Sequence, residues 1–569
     1  MATDTPPMAP QASSSSTQLY RRVGLIGLLW ASEGSIIGSG WLFGAQGALA
    51  TAGPAAIISW IIGAVIIIVL ALVHAELGGM FPIAGGTSRF PHYSFGGAVG
   101  ASFGWFSWIQ AATVAPIEVI AMIQYGQHWH FAAGYMYTKE AVGATQHVLT
   151  ASGLIIAIIL MAIMVGINFF GVRVLAQVNS IATWWKVGVP LFTIFTFAAL
   201  SFHTGNFSAN GGFMEAGAKN IMLAIPASGI VFSLLGFEQA IQLAGESENP
   251  KKHLPRATIL SILIGAVIYI LVQVVVIAAL PASSIQGGWH NGSYASLAYP
   301  LAGVATLASI GWLAVILYID AVISPGGTAL IYATSTSRIS YGLARNGYVP
   351  AAYARTNSRR VPWVGLVTAF IAGCIFFLPF PSWQSMVGLV TYASVMMYAG
   401  APLAFGAFRS RLPEMERPFR LPAGPIMAPL SFILANMIVL WTGWDIVYKV
   451  DLTVLVGYVL LALSRVLNMN PIKPVLDFKA AQWLPVYLLG SLAIIWFSSF
   501  DTGGAGSYGN LNPKSSGPPL HFGYDMLVMA VFSLVIFYWA MAVALPTERI
   551  QAMIDEVVIV EEDEVAAAG

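Results

Sequence analysis

The chain has 569 residues, of which 57% are hydrophobic and 9% charged, and its formal net charge is +1 at pH 7. Soluble domains carry roughly 25% charged residues, so this composition predicts an all-α polytopic membrane protein. A transmembrane β-barrel is excluded because the apolar runs do not alternate with polar residues. The near-zero net charge gives no support for a nucleic-acid partner.

Fourteen apolar runs are candidate membrane spans, and twelve crossings is the alternative count. They are roughly 23–50, 54–77, 97–127, 151–171, 180–201, 221–243, 257–280, 303–337, 362–380, 384–408, 425–442, 450–467, 483–499 and 523–545. Residues 1–20 are predicted to be a disordered tail and residues 546–569 an acidic tail.

The basic residues predict the orientation of these spans. With the N-terminus in the cytoplasm, twenty of the 25 Lys and Arg residues fall in cytoplasmic segments and four in external ones. The remaining one, Lys186, lies within a span. This bias puts both termini in the cytoplasm. The compact loops indicate a plasma membrane, and a prokaryotic inner membrane is expected.

The first span is interrupted near its centre by residues 34–40, Gly-Ser-Ile-Ile-Gly-Ser-Gly, which directly follow Glu33. Three glycines in seven residues open a helix, because glycine has a low helix propensity. The freed backbone groups cannot be satisfied by lipid and must face protein, water or a polar ligand. The alternative is a stripe of small residues that lets two helices pack closely.

The sixth span has a second interruption, with Pro226, Gly229, Ser233 and Gly236 ahead of Glu238. The two interrupted spans are five helices apart, and an odd repeat length inverts the second copy. Interrupted helices at matching positions of inverted halves point to a transporter binding site. We therefore predict inverted repeats over residues 21–201 and 221–408, with additional helices over 425–545.

Three stretches resemble the amino acid–polyamine–organocation (APC) superfamily of permeases. They are residues 34–40, the Gly236-Phe237-Glu238 triplet with the loop 246–256, and residues 337–350. A weaker match covers 75–86. The variant with Trp41 and the number of spans are most similar to permeases of the aspartate–proton symporter type.

This resemblance implies a LeuT-like fold of inverted five-helix repeats and a secondary active transporter that works by alternating access. The implied function is proton-coupled symport of aspartate or another small amino acid. The alternatives are an amino acid/polyamine exchanger and a sodium-coupled permease. The expected partners are an amino acid substrate, the proton as coupling ion and the lipid bilayer.

The resemblance also implies a binding site on the opened backbone of the first and sixth spans. The substrate carboxylate is expected at the N–H groups around Ser39 and Gly40, with Ser35 and Gly38 at the break. The substrate amino group is expected at carbonyls of the same two breaks. These carbonyls lie near Ile36, Phe232 and Ser233, and the site set is completed by Gly236 and Phe237. Half-helix ends favour these charges electrostatically.

Four ionisable residues within the spans are candidates for proton coupling or gating, because each such group is costly in a bilayer. By resemblance, Lys186 occupies the position at which sodium-coupled relatives hold a cation. It would act there as the proton carrier or as a fixed positive charge. The alternative is a lysine whose ammonium snorkels to the membrane interface. Glu238 is a candidate gate, or an acid that braces the unwound turn.

Glu33 and Asp320 complete the candidate set. The family does not require an acid at Glu33, which could pair with Lys186, take up the proton or select a cationic substrate. Asp320 shares a helix face with Ser324 and could pair with Lys186. A fifth acid, Glu118, fits an outer vestibule as well as the site.

Other functional classes lack their motifs. The sequence has no Gly-rich phosphate loop ending in Lys-Ser or Lys-Thr, so ATP is not expected to drive transport. It has no His-Glu-x-x-His motif, and no cofactor, metal site or enzyme activity is expected.

Overall fold

The structure is a computed structural model that describes residues 23–555 apart from 82–85, 130–131, 133, 142–143, 171, 245–246 and 501–519. In the described ranges, eleven helices are long and apolar enough to cross a membrane, and two shorter apolar helices accompany them. The predicted tail at 1–20 lies outside these ranges, as do residues 556–569 of the predicted tail 546–569, while residues 547–555 of that tail are helical.

The first half of the chain contains seven helices and one β-hairpin. They are α1 (Leu25–Ile36), α2 (Gly40–Ala52), α3 (Ala56–Met80), α4 (Phe90–Phe95), α5 (Gly97–Gly126), β1 (Met136–Ala141) paired antiparallel with β2 (Ala144–Leu149), α6 (Ala151–Asn168) and α7 (Val172–Leu200). The hairpin was not predicted from the sequence. It is held to a later turn by the Leu149 N–H, which donates to the Pro381 carbonyl at 3.0 Å.

In the part of the second half that the structure describes, thirteen helices precede the helical stretch at 547–555. They are α8 (Gly217–Ala227), α9 (Ile230–Ser233), α10 (Glu238–Gln242), α11 (Pro250–Ala279), α12 (Pro300–Leu307), α13 (Gly311–Arg345), α14 (Trp363–Phe376), α15 (Trp383–Arg411), α16 (Gly424–Thr442), α17 (Trp444–Val466), α18 (Phe478–Ala481), α19 (Trp483–Phe497) and α20 (Tyr524–Val543). Each of the fourteen predicted spans contains at least one of these helices.

Both predicted interruptions are present. The first span is α1 followed by α2, and the helical hydrogen bonds lapse between Ile36 and Gly40. The sixth span is divided into α8, α9 and α10, and two glycines with positive φ separate the pieces, Gly229 at 81° and Gly236 at 130°. Positive φ favours glycine because it has no Cβ.

One predicted span was wrong at its start. The run 303–337 is not a single helix, because α12 ends at Leu307 and Ser309 takes a left-handed conformation with φ of 62°. The membrane-crossing helix α13 begins only at Gly311 and continues to Arg345. A left-handed serine carries a steric cost that apolar patterning does not reveal.

Burial divides the helices into a core and a rim. The most apolar stretches of α5 and α15 are completely buried, whereas those of α6, α17 and α20 are 28% buried or less. The two broken spans lie among the buried helices, since α1 packs against α11, α7 and α13. The protein therefore surrounds its opened backbone with protein rather than lipid, as irregular backbone at membrane depth requires.

A segment after α17, residues 467–477, crosses the ends of α5 and α13 that are predicted to face the cytoplasm. The N–H groups of Gly97 and Ala98 donate to the carbonyls of Val475 and Leu476 at 3.0 and 2.8 Å. Arg549 forms an ion pair with Asp477 at 2.8 Å. This segment ties the last helices of the chain to the start of α5.

Candidate functional site

Lys186 of α7 binds the carboxyl end of α1. Its ammonium donates to the Gly34 carbonyl at 2.5 Å and to the Thr328 hydroxyl at 2.8 Å, and the Thr328 hydroxyl donates to the same carbonyl at 2.9 Å. Lys186 is fully buried. A cation at this position complements the partial negative charge of a helix C-terminus.

Glu118 of α5 binds the backbone of the opened turn from the other side. The Ser39 N–H donates to its Oε2 at 2.8 Å, while its Oε1 has no hydrogen-bond partner. Gly38 makes room for this carboxylate, because a Cβ on Gly38 would lie 2.5 Å from the Glu118 Oε1. A backbone N–H of the break therefore already binds a carboxylate.

The two breaks touch each other. A Cβ on Gly236 would lie 2.7 Å from the Ile36 nitrogen, and a Cβ on Gly40 would lie 2.9 Å from the Ser233 Cα. Glycine is required at both positions for this close approach. The Ile36 carbonyl accepts a hydrogen bond from the Tyr269 hydroxyl at 2.6 Å.

A narrow cavity lies beside the two breaks, and in this conformation it is too tight to hold a water molecule. Five predicted site residues line it together with five others: Ser35, Ile36, Gly38, Gly40 and Phe232, with Val114, Glu118, Leu235, Thr328 and Tyr332. The other four predicted substrate residues pack just outside it. Ser39 binds Glu118, the Ser233 hydroxyl donates to the Gly229 carbonyl at 2.7 Å, Gly236 packs on Ile36, and Phe237 stacks on Tyr398.

An aromatic layer covers the α2 side of this cavity. The Trp383 ring stacks on Phe43 with centroids 4.7 Å apart and meets Phe232 edge-on at 5.8 Å. The Trp383 indole N–H donates to the Ser39 hydroxyl at 2.9 Å. The layer therefore links α15 to the first broken span at the cavity's predicted external side.

Glu238 is held by donors from several helices. Its Oε2 accepts from the Gly236 N–H at 2.9 Å and from the Tyr398 hydroxyl at 2.6 Å. Its Oε1 accepts from the Tyr332 hydroxyl at 3.0 Å and from the Gln110 amide at 3.3 Å. These contacts match the bracing alternative for Glu238, because they bind the unwound turn to α5, α13 and α15.

Asp320 is bound by indoles rather than by the lysine. Its carboxylate accepts from the Trp41 and Trp185 indole N–H groups, both at 2.9 Å, and from the Ser324 hydroxyl at 2.6 Å. Among the described residues, no ion pair joins Asp320 to Lys186, so the hypothesised pairing is not formed in this conformation. The indoles are the better-placed donors, one from α2 and one from α7.

Glu33 has no hydrogen-bond partner on either carboxylate oxygen, and it is fully buried in α1. Its hypothesised pairing with Lys186 is likewise not formed, because the ammonium binds Gly34 and Thr328 instead. Of the four ionisable residues predicted for coupling or gating, Glu33 alone lacks a partner among the described residues.

Sequence reasoning missed several residues of this site. Thr328 follows Asp320 and Ser324 at the same spacing of four, so extending that helix face would have found it. Tyr269, Tyr398 and Trp383 carry no comparable signal, because they lie among 21 tyrosines and 17 tryptophans.

The chain is similar to known amino acid transporters over most of its length. Residues 23–466 match the family model described as amino acid permease. The glutamate/serine transporter AimA of Bacillus subtilis is 34% identical over 94% of this chain and 96% of its own length. The aspartate-proton symporter of the same organism is 32% identical over 94% of this chain and 99% of its own length.

A more distant relative is the branched-chain amino acid permease BcaP of Bacillus subtilis, 24% identical over 79% of this chain and 94% of its own length. The named relatives are transporters and permeases, not enzymes. The chain therefore belongs to the amino acid permease family of the APC superfamily, as an integral membrane transporter with an all-α, LeuT-like fold.

Proposed function

We propose that this permease is a proton-coupled symporter that moves a small amino acid by alternating access. The observation that carries the proposal is the hydrogen bond from the Ser39 N–H to the Glu118 carboxylate. This hydrogen bond supports a site that binds carboxylates. The Glu118 carboxylate occupies the backbone N–H to which the carboxylate of an amino acid substrate would bind. The opened turn of the first span and the adjoining cavity mark where the substrate would bind, and the surrounding helices must separate before it can enter.

The substrate carboxylate would displace Glu118 from the Ser39 N–H and approach Gly40. Backbone N–H groups at the start of α2 favour an anion, because the helix dipole adds to their own polarity. The substrate ammonium would lie between the carbonyls of the two breaks, near Ile36, Phe232 and Ser233. A free carbonyl at a half-helix end favours a cation.

The lining favours a small neutral side chain. The described residues that line the cavity include Glu118 but no lysine or arginine, and apolar groups come from Ile36, Val114 and Phe232. Lys186 lies nearby, but its ammonium is bound to Gly34 and Thr328. A second substrate carboxylate would therefore lack a cationic partner, so we expect serine to be transported better than aspartate.

The positive charge of Lys186 supports coupling to protons rather than sodium. It binds the end of α1 where a coupling cation would otherwise be held, and a sodium ion beside it would be repelled. One relative, the aspartate-proton symporter, is named for proton coupling. The proposed coupling set contains Lys186 and Glu33, with Glu238 and Asp320 as the groups that hold neighbouring helices together.

The proposed architecture has two inverted repeats, residues 21–201 and 221–408, with the helices of 425–545 added to them. Both termini are proposed to lie in the cytoplasm of a bacterial cell, with the transporter in the plasma membrane. The support is the excess of Lys and Arg on one side of the predicted spans.

The test is uptake of radiolabelled amino acids into proteoliposomes with an alkaline interior and no sodium. Serine, aspartate, glutamate, arginine and putrescine form the panel. We expect serine to accumulate, and we expect a protonophore to abolish the accumulation. Glu118→Ala should lower the substrate concentration needed for half-maximal uptake, because it frees the Ser39 N–H that the substrate carboxylate must otherwise take from Glu118.

Two results would contradict the proposal. Accumulation that requires sodium would replace the proton as coupling ion. Labelled substrate that enters only in exchange for internal substrate would make the protein an exchanger. The matched control for Glu118→Ala is Glu248→Ala, which removes an acid that lies outside the cavity.

A further inference from the structure

We propose that Glu33 is the group that carries the coupling proton, and that it releases this proton when α1 separates from α11. The inference rests on the proposed symport function and assigns its proton to one residue. The geometry behind it is a buried carboxyl without any hydrogen-bond partner, placed in the half-helix next to the substrate cavity.

The other acids near the broken spans are occupied. Asp320 accepts from two indoles and a serine hydroxyl, and Glu238 accepts from two tyrosine hydroxyls and a backbone N–H. Glu118 accepts from the Ser39 N–H with one of its oxygens. Fixed donors of this kind stabilise the ionised form of a carboxylate. Glu33 has none, so its packing accommodates only the neutral acid.

Glu33 lies in the last turn of α1, next to the break in the first span. It precedes by one residue the Gly34 carbonyl that Lys186 and Thr328 bind. One turn further along, Ile36 packs on Gly265 of α11, where a Cβ would lie 2.7 Å from the Ile36 side chain. α1 and α11 both begin on the predicted cytoplasmic side, so Glu33 is level with the first half of α11.

Several titratable groups lie on the elements packed against α1. Lys186 of α7 binds the carbonyl of Gly34, the residue after Glu33, and Tyr269 of α11 donates to the Ile36 carbonyl. The remaining groups are Tyr318, Asp320, Tyr332, Arg338, Tyr341 and Arg345 of α13, Glu238 of α10, and Lys251, Lys252, His253 and Arg256 at the start of α11. The contacts described for these groups do not include the Glu33 carboxylate.

The proposed step is a simple proton transfer. With α1 packed on α11, Glu33 holds its proton as a neutral acid. When the inner half of the site opens, water reaches the carboxyl, the O–H bond breaks, and the proton passes to water and leaves a carboxylate. Net symport requires the empty carrier to return without that proton. On the return step the Lys186 ammonium, which here binds the adjoining Gly34 carbonyl, compensates the Glu33 carboxylate, and Glu33 takes up a new proton when substrate binds from outside.

The experiment compares Glu33→Gln with the unmodified protein in two proteoliposome assays. One measures serine accumulation driven by a pH gradient, and the other measures exchange of labelled for unlabelled serine at equal pH. A gradient of one pH unit supports about tenfold accumulation with one proton. We expect the variant to lose this accumulation and to retain exchange, because glutamine fills the same space but has no acidic proton to release.

Asp451→Asn is the matched control. Asp451 is a carboxyl of α17 whose one oxygen accepts from Tyr392 at 2.7 Å while the other lacks a partner, and it lies outside the broken spans. This variant should retain both activities. Glu33→Asp should recover part of the accumulation, because it restores a titratable carboxyl.

Gradient-driven accumulation by Glu33→Gln at the unmodified level would overturn the inference and leave the proposed symport intact. Loss of exchange together with accumulation, in both Glu33→Gln and Glu33→Asp, would also overturn it, since Glu33 would then be structural. If the unmodified protein shows no proton-driven accumulation, the proposed function itself fails.

Discussion

Each of the two broken spans carries a glutamate next to its break, and the two carboxylates differ in their hydrogen bonding. Glu238 accepts hydrogen bonds from a backbone N–H of the break itself, and from two tyrosines and a glutamine on three other helices. Glu33 accepts none. Two residues of one type, at similar positions beside related breaks, therefore occupy different environments. Position relative to a break does not by itself determine what an acid does there.

The difference indicates that the two breaks have unequal freedom to move. Glu238 ties the second break to α5, α13 and α15, so movement there would disrupt several hydrogen bonds at once. The first break is held by contacts that a substrate can replace, above all the Glu118 carboxylate on the Ser39 N–H. We expect α1 to move more readily than α10 during transport.

Gly236→Ala should have the largest effect, because Gly236 is the point where the two breaks meet. Its φ is 130°, and an added Cβ would lie 2.7 Å from the Ile36 nitrogen. Strain and overpacking of this kind each cost about 1–3 kcal/mol. We expect transport in the exchange assay to be lost.

Gly288→Ala is the control that distinguishes backbone strain at positive φ from steric overlap of the added Cβ. Gly288 also has positive φ, at 84°, but nothing lies within 4 Å of the place that a Cβ would take. Its substitution should retain exchange. If Gly236→Ala is as active as Gly288→Ala, the close approach of the two breaks is not needed.

Glu238→Gln should have the second-largest effect. The amide leaves at least one of the four donors unsatisfied, and each buried unsatisfied donor costs about 1–3 kcal/mol. Thermal unfolding of purified protein in detergent should therefore show a lower midpoint, and Tyr398→Phe should reproduce part of the decrease. A midpoint equal to that of the unmodified protein would remove the argument that Glu238 is a brace.

Glu33→Gln should change the unfolding midpoint much less than Glu238→Gln does. Glu33 has no hydrogen bond to lose, so we expect the free energy of unfolding to change by less than about 1 kcal/mol. The contrast between the two glutamine variants in one unfolding experiment is the sharpest test of the comparison. Equal destabilisation by both would indicate that Glu33 has a partner that stabilises its charge.

Substitution of His92 should have the smallest effect on stability. His92 also titrates in acid, so its contribution must be separated from any pH dependence assigned to Glu33. Burial, with the charges of Arg89 and Arg549, lowers the pKa of His92 from 6.5 to about 3. Between these two pKa values His92 is protonated in the unfolded chain but neutral in the folded protein. The free energy of unfolding therefore falls as pH falls from about 6.5 towards 3. His92→Gln should flatten the slope of unfolding midpoint against pH in that window.

An unchanged slope in His92→Gln would mean that His92 is protonated in the folded protein. The hydrogen bond between its Nδ1 and the Tyr348 hydroxyl, at 2.5 Å, links α4 to the end of α13. Tyr348→Phe, which removes the hydroxyl but no titratable histidine, is the control for loss of that contact.

The fold was largely predictable because its determinants are local. Apolar length located the spans, and Gly34, Gly38 and Gly40 located the first break, since glycine content governs where a helix opens. The start of α13 was missed because Ser309 adopts a left-handed conformation that its residue type does not announce. The β-hairpin was missed because its support comes from Pro381, more than 200 residues away.

The site was predictable only in part, because its contacts join residues far apart in the chain. The break residues Ser35, Ile36, Gly38, Gly40 and Phe232 do line the cavity. The partners of the charged groups were not foreseeable. A spacing rule relates Asp320 to Ser324, but nothing in the sequence relates Asp320 to Trp41 and Trp185, or Glu118 to the Ser39 N–H.

The 467–477 segment provides a frame of reference for measuring movement in this transporter. It begins just beyond residue 466, where the family match ends, and hydrogen bonds join it to Gly97 and Ala98 at the start of α5. Spectroscopic labels on this segment and on α5 should keep a constant separation through the transport cycle. A third label on α1 would then report the movement of this half-helix, measured as its distance from the two reference labels.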